Sequence, residues 1–124
     1  MTQCPFCLPT LSEKILLENA FAYVVYDGFP VSPNHVLIIP KMHESEFLNL
    51  PDHIQRGCWD LLNQAREWLK TMVTLDNYNI GINSGEYAGQ TVMHAHIHLI
   101  PRYKGDTENP KGGVRGVIPT KQSY

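Results

Sequence analysis

Three histidines alternate in Met93-His94-Ala95-His96-Ile97-His98-Leu99-Ile100-Pro101-Arg102. On a strand, successive side chains point to opposite faces, so His94, His96 and His98 fall on one side and Ala95, Ile97 and Leu99 on the other. The apolar set can face a core and leave three imidazoles in a row toward a cleft. The chain holds only six histidines. Three of them at strict period two argue against a chance run of surface residues. Two chemistries use such a row. Imidazoles two residues apart can ligate one metal, as in His-rich zinc enzymes, or one can act as a nucleophile while its neighbours orient it or bind phosphate oxygens. Immediately upstream, Gly89-Gln90-Thr91 supplies a flexible backbone, an amide and a hydroxyl, which are neutral donors suited to a phosphate. The nearest acid before His94 is the distant Glu86, whereas a hydrolytic metal centre more typically includes a carboxylate. The surroundings therefore favour phosphate chemistry.

A second pair of reactive residues lies in Cys4-Pro5-Phe6-Cys7. Alone it fits a chance pair, a redox couple or half of a zinc site. Two thiolates need two further ligands, for which the sequence offers His35, His43 and His94. The third cysteine, Cys58, lies in a helical pattern and reads as a small buried hydrophobe.

The elements that must position these groups follow from periodicity. Ala22–Tyr26 is a short apolar run ended by Asp27-Gly28-Phe29-Pro30, a strand and turn. His35–Pro40 reads as a strand buried on both faces. Asp52 opens one long helix whose stripe is Ile54, Cys58, Leu61, Leu62, Ala65, Trp68, Leu69, Met72 and Val73. Trp59 lies off that stripe, at a helix edge or a subunit contact, and His53 belongs to no pattern. Tyr78–Asn83 and Val92–Tyr103 read as further strands, with a Gly-containing loop, Ser84–Thr91, between them. Consecutive strands with one helix predict an α+β domain over residues 1–105 with a mainly antiparallel sheet. Residues 106–124 read as a tail packing on the domain or on a partner subunit. A single small sheet has an edge to protect, which predicts a dimer, with Trp59 and the tail as candidate contacts.

With 124 residues, 43% of them hydrophobic, the chain can bury one core. Its net charge of -2, with basic residues spread along the chain, argues against a nucleic-acid-binding surface. No apolar run approaches the ~20 residues of a membrane span. Met1 to Leu11 carry no basic segment followed by an apolar stretch, so no signal peptide is expected and the cytoplasm is the expected compartment.

The segment His94-x-His96-x-His98 resembles the signature of the histidine triad family. Asp27, Ser32-Pro33-Asn34-His35, Ile39-Pro40-Lys41-Met42-His43, Asn83 and Gly89-Gln90-Thr91-Val92 stand in that family's order and spacing, so the resemblance runs from Cys4 to Tyr103. It implies a homodimer whose two sheets join across the interface. It also implies nucleotidyl transfer to the middle histidine, His96, by attack on the α-phosphorus of a nucleoside-phosphate-X compound. In such a site His98 would donate to a phosphate oxygen or the leaving atom, with Gly89, Gln90 and Thr91 as its companions. Asp27 would accept from the ribose hydroxyls, although a turn-capping aspartate suits the same position. Asn83 would contact phosphate or ribose, or cap its own turn. The resemblance further implies a structural zinc held by Cys4, Cys7, His43 and His94, which leaves His35 to the triad's hydrogen-bond network. The substrate implied is a purine nucleotide, adenine by the family's usual preference. Phe6, Phe29 and Val25 or Tyr26 are candidates to sandwich the base.

Overall fold

A computed structural model describes residues 4–8 and 10–124. Five strands form one antiparallel sheet: β1 (Leu17–Glu18), β2 (Ala22–Tyr26), β3 (Val36–Pro40), β4 (Tyr78–Gly81) and β5 (Ile97–Pro101). Their order across the sheet is β1-β2-β3-β5-β4. The single α-helix among the described residues, α1 (Asp52–Lys70), lies on one face. This is the expected α+β architecture.

β3 is the central strand and all five of its residues are buried, as its β-branched, unalternating sequence predicts. Val36 and Ile38 join the larger core with Ala22, Val24 and the helix residues Cys58, Leu61, Ala65 and Leu69. Leu37 and Ile39 face the other way and pack with Tyr23, Val25 and Leu11, against which Phe6 and Ile15 lie. The N-terminal segment thus covers the second face of the sheet. Burying one such aliphatic side chain contributes roughly 1.5–3 kcal/mol, so both faces hold the central strands in place.

Two differences from the periodicity have local causes. The helix ends at Lys70, and Met72, in the turn that follows, is exposed. Its buried stripe includes Gly57, which no hydrophobic pattern reveals. A Cβ there would stand 2.5 Å from the Phe21 ring, and the Gly57 carbonyl accepts a hydrogen bond from Asn19 Nδ2 at 2.8 Å.

The second difference concerns the triad. The expected strand Val92–Tyr103 forms only over Ile97–Pro101. Ala95, Ile97 and Leu99 are buried as their alternation predicts, but the chain leaves the ladder before Ile97. The Ala95 N–H turns to the Glu44 carbonyl, and the His94 side chain, rather than a backbone group, donates to the Pro40 carbonyl at 2.8 Å. The three imidazoles therefore do not form one row on a regular strand. Beyond β5, two 3-10 turns (Gly113–Val117 and Pro119–Lys121) fold on each other, the first beside β4. The Arg115 guanidinium stacks on Tyr124 at 4.7 Å. Among the described residues no helix is long and apolar enough to cross a membrane.

Candidate active site and metal cluster

A cavity of about 540 Å³ opens at the His96 end of β5. His96 and His98 line it with Asn83, Gly89, Gln90 and Thr91 on one side and Asp27 on another, while Phe6, Val25, Tyr26 and Phe29 supply apolar wall. Every residue expected to touch substrate is brought to this one cavity. Thr10, Leu11, Lys14 and Leu37 also line it. No motif marks the first three, which enter because the N-terminal segment folds over the sheet. A larger open cleft of about 820 Å³ lies beside the start of the tail. Its Arg102 is already matched by Asp106 in a two-pronged ion pair at 2.8 and 2.9 Å, and no triad histidine reaches it.

Hydrogen bonds fix which imidazole nitrogens carry protons. Nδ1 of His96 stands 2.8 Å from the His94 carbonyl, an acceptor, so Nδ1 bears the hydrogen and Nε2 keeps a free lone pair. A relay sets His98. The Val31 N–H donates to His35 Nδ1 at 3.1 Å, which places the His35 proton on Nε2, 2.9 Å from His98 Nδ1. His98 Nδ1 then accepts, and its own hydrogen lies on Nε2. Asp27 is the nearby charge, with Oδ2 3.4 Å from His35 Nε2 and 3.8 Å from His98 Nδ1. Its Oδ1 accepts from the Phe29 N–H at 2.7 Å, so the turn-capping role foreseen for Asp27 is filled by one oxygen while the other faces the histidines.

Gln90 lines the cavity with its side chain held by three hydrogen bonds. Its Nε2 donates to the Ser45 and Val92 carbonyls at 2.8 and 3.1 Å, and its Oε1 accepts from the Gly85 N–H at 2.9 Å. One side-chain hydrogen goes across to Ser45 and the other to Val92, so Gln90 clamps the segment 84–92 to the Ser45 backbone. Thr91 and Gly89 remain at the cavity wall.

Burial above all, then the neighbouring His96 and His35 rings, push His98 down to about 4 from the ordinary 6.5, against the opposing pull of Asp27. Burial likewise lowers His35, again against Asp27. Both are neutral near pH 7. His98 therefore presents a neutral ring with its hydrogen on Nε2. The unfolded chain binds these protons first, so the contribution is full above about 6.5 and is lost as pH falls toward about 4. The melting temperature should fall across that interval, and His98→Asn should reduce the slope. Equal slopes in both proteins would contradict the assignment.

The second cluster lies behind the cavity. His94 Nδ1 is 3.4 Å from Cys4 Sγ, 3.4 Å from Cys7 Sγ and 3.2 Å from His43 Nδ1, and Cys7 Sγ is 3.3 Å from His43 Nδ1. Since His94 Nε2 donates to Pro40, Nδ1 has a single lone pair, which cannot serve three hydrogen-bond partners at once. Convergence on a shared cation accounts for the arrangement. Tetrahedral zinc, with bonds of about 2.3 Å to sulfur and about 2.05 Å to nitrogen, spaces its ligands about 3.5 Å (S to N) and about 3.3 Å (N to N) apart. The four residues fit such an ion, and all their ligand atoms lie within 4.8 Å of one another. The Pro40 carbonyl supplies the outer hydrogen bond that orients a ligating histidine. His35 stands with Asp27 and His98 instead.

The description "HIT domain" matches residues 9–105. An uncharacterized HIT-like protein of Methanocaldococcus jannaschii is 36% identical over an alignment covering 89% of this chain and 87% of that protein. Two Saccharomyces cerevisiae enzymes align over less of their own length. An adenosine 5'-monophosphoramidase is 37% identical, covering 80% of this chain and 62% of that enzyme. A bis(5'-adenosyl)-triphosphatase is 33% identical, covering 76% and 46%. Among solved structures, a Zn-bound histidine triad family protein from Mycobacterium smegmatis superimposes with a TM-score of 0.69 at 29% identity, covering 77% of this chain and 69% of that one. With its triad, its antiparallel sheet and its one helix in that arrangement, the chain belongs to the HIT domain family.

Proposed function

We propose that the protein is a nucleotide hydrolase that cleaves nucleoside-phosphate-X compounds, dinucleoside polyphosphates or adenylated amines, through a covalent nucleotidyl-His96. The observation that carries this is the bare Nε2 of His96, fixed by its Nδ1 bond to the His94 carbonyl within a cavity that also holds His98. Mere binding of a nucleotide needs no free nucleophile. Nε2 attacks the α-phosphorus, forming an N–P bond as the bond to X breaks. The Nε2–H of His98 donates to X or to a phosphate oxygen, which stabilises charge where it develops. Water then attacks the same phosphorus, releasing the nucleoside monophosphate and restoring His96. Asp27 accepts from the ribose hydroxyls with the oxygen its turn leaves uncommitted, Asn83 and Thr91 meet the phosphate, and apolar residues including Phe29 and Val25 border the base. The names of the two yeast relatives support an adenine nucleotide and both kinds of leaving group.

Zinc is the proposed occupant of the Cys4–Cys7–His43–His94 cluster. Four protein ligands would close its coordination, so it would supply structural support and not a water-activating position. The zinc-bound relative supports this choice of metal.

We also propose a homodimer joined along β4, which is an edge strand of the sheet. Sedimentation showing a monomer at micromolar concentration would contradict it. The reaction itself is tested by product analysis on adenosine phosphoramidate and diadenosine triphosphate, with and without added phosphate. Release of AMP unaffected by phosphate is expected. Formation of ADP from added phosphate with the phosphoramidate would instead assign a phosphorylase.

A further inference from the structure

The knuckle that carries Cys4 and Cys7 holds Phe6 between them, and Phe6 borders the cavity. Its ring stands edge-on to His96, with centroids 4.9 Å apart and planes at 82°. Its contact with the ligand His94 is longer, at 6.4 Å. The Phe6 backbone is tied at its carbonyl. Its carbonyl accepts from the hydroxyl of Tyr23, a fully buried residue of β2, and Cys4 and Cys7 flank it. Among the described residues the His96 side chain has one hydrogen bond, at Nδ1, and that bond alone leaves rotation of the ring about it unrestrained. Beside Phe6, the His98 ring at 5.1 Å is its other aromatic neighbour.

We propose that Phe6 is a positioning residue for His96, and that through Phe6 the Cys4/Cys7 metal knuckle sets the orientation of the nucleophile's ring. This rests on the reading of His96 as the nucleophile. An attacking lone pair must point at phosphorus, and small misplacements of a reacting atom are costly. A ring held edge-on restricts the rocking that the Nδ1 bond permits. The knuckle fixes where that ring stands, because the backbone on both sides of Phe6 continues into metal ligands. Metal loading then reaches the chemistry without the ion touching substrate. A base platform acts on ground-state affinity, whereas a positioning residue acts on turnover.

The test compares wild type, Phe6→Leu and Phe6→Tyr, each metal-loaded and after Cys7→Ser. An edge contact of this kind is worth about 2- to 10-fold. Phe6→Leu should therefore lower kcat by up to about 10-fold and be rescued by Phe6→Tyr, which keeps the ring. Imidazole nitrogen–proton NMR correlations should show His96 losing its ring-current shift in Phe6→Leu and in Cys7→Ser alike. Cys7→Ser should cost kcat in the wild-type background and little more once Phe6 is leucine. A change confined to KM or AMP affinity would make Phe6 a base platform and overturn the proposal. Additive losses, or a His96 spectrum indifferent to Cys7→Ser, would overturn the coupling. Unchanged kcat in Phe6→Leu would sink this inference alone, whereas turnover surviving in His96→Ala would sink the nucleophile reading beneath it.

Discussion

His96→Ala should lower turnover by about a thousandfold or more while leaving the fold and AMP affinity in place. The expectation follows from what the side chain does and does not hold. Among the described residues the His96 side chain makes one hydrogen bond, to the His94 carbonyl, and it stands outside the β5 ladder, which begins at Ile97. Its loss takes away the atom that bonds to phosphorus. No other candidate can replace it, because His98 Nδ1 is held by His35 and its Nε2 bears the hydrogen. His94 points its free nitrogen at the two cysteines. AMP affinity should persist because Asp27, Thr91 and the apolar wall remain. Retention of more than about a tenth of wild-type turnover would contradict a covalent intermediate on this residue.

The second large effect concerns the metal. Protein purified without chelators should carry about one zinc per chain. Cys4→Ala, Cys7→Ala and His43→Ala should each lose it. A ligand that binds the native state alone stabilises that state, and this one ties the N-terminal segment to the stretch leading into β5 and to the loop after β3. The melting temperature should fall on the order of 10 °C, the shift that roughly 2–4 kcal/mol produces in a domain of this size. Turnover should fall far less than in His96→Ala, since the cluster lies behind the catalytic ring. His35→Ala separates the two networks. It should keep the metal and impair turnover, because it removes the donor that sets the His98 tautomer. Loss of zinc in His35→Ala with retention in His43→Ala would show the two histidines to be exchanged. Protein free of zinc after such a purification would make Cys4 and Cys7 ordinary thiols.

Much of the scaffold could be read from residue patterns because one physical signal dominated each element. The unbroken apolar run of Val36–Pro40 has no solvent face to offer, and the stripe from Ile54 to Leu69 has one face. The site was legible in its membership and less so in its wiring. Period-two spacing says that His94, His96 and His98 share a face if the strand extends that far. It cannot say where pairing stops, and the bend before Ile97 is what sends His94 to the cysteines. Gln90 is a polar amide in a phosphate-type loop, and the same amide serves equally to clamp that loop, which only the positions of Ser45, Gly85 and Val92 decide. Asp27 fitted two roles because it has two oxygens, and the structure gives each a different neighbour. The Val31 N–H that orients His35 is a backbone group and leaves no mark in a sequence. Gly57 was missed for a related reason, since its function is the absence of a side chain beneath Phe21.

The central claim is a nucleotidyl group on His96, and intact mass after rapid mixing tests it most directly. Protein mixed with excess adenosine phosphoramidate and quenched in alkali, where a phosphoramidate bond to imidazole survives best, should show a mass increase of one AMP moiety. Peptide mapping should place it on the segment Met93–Arg102, at His96, and His96→Gly should show none. Turnover with no adduct in wild type at any quench time, or an adduct on another residue, would contradict the account.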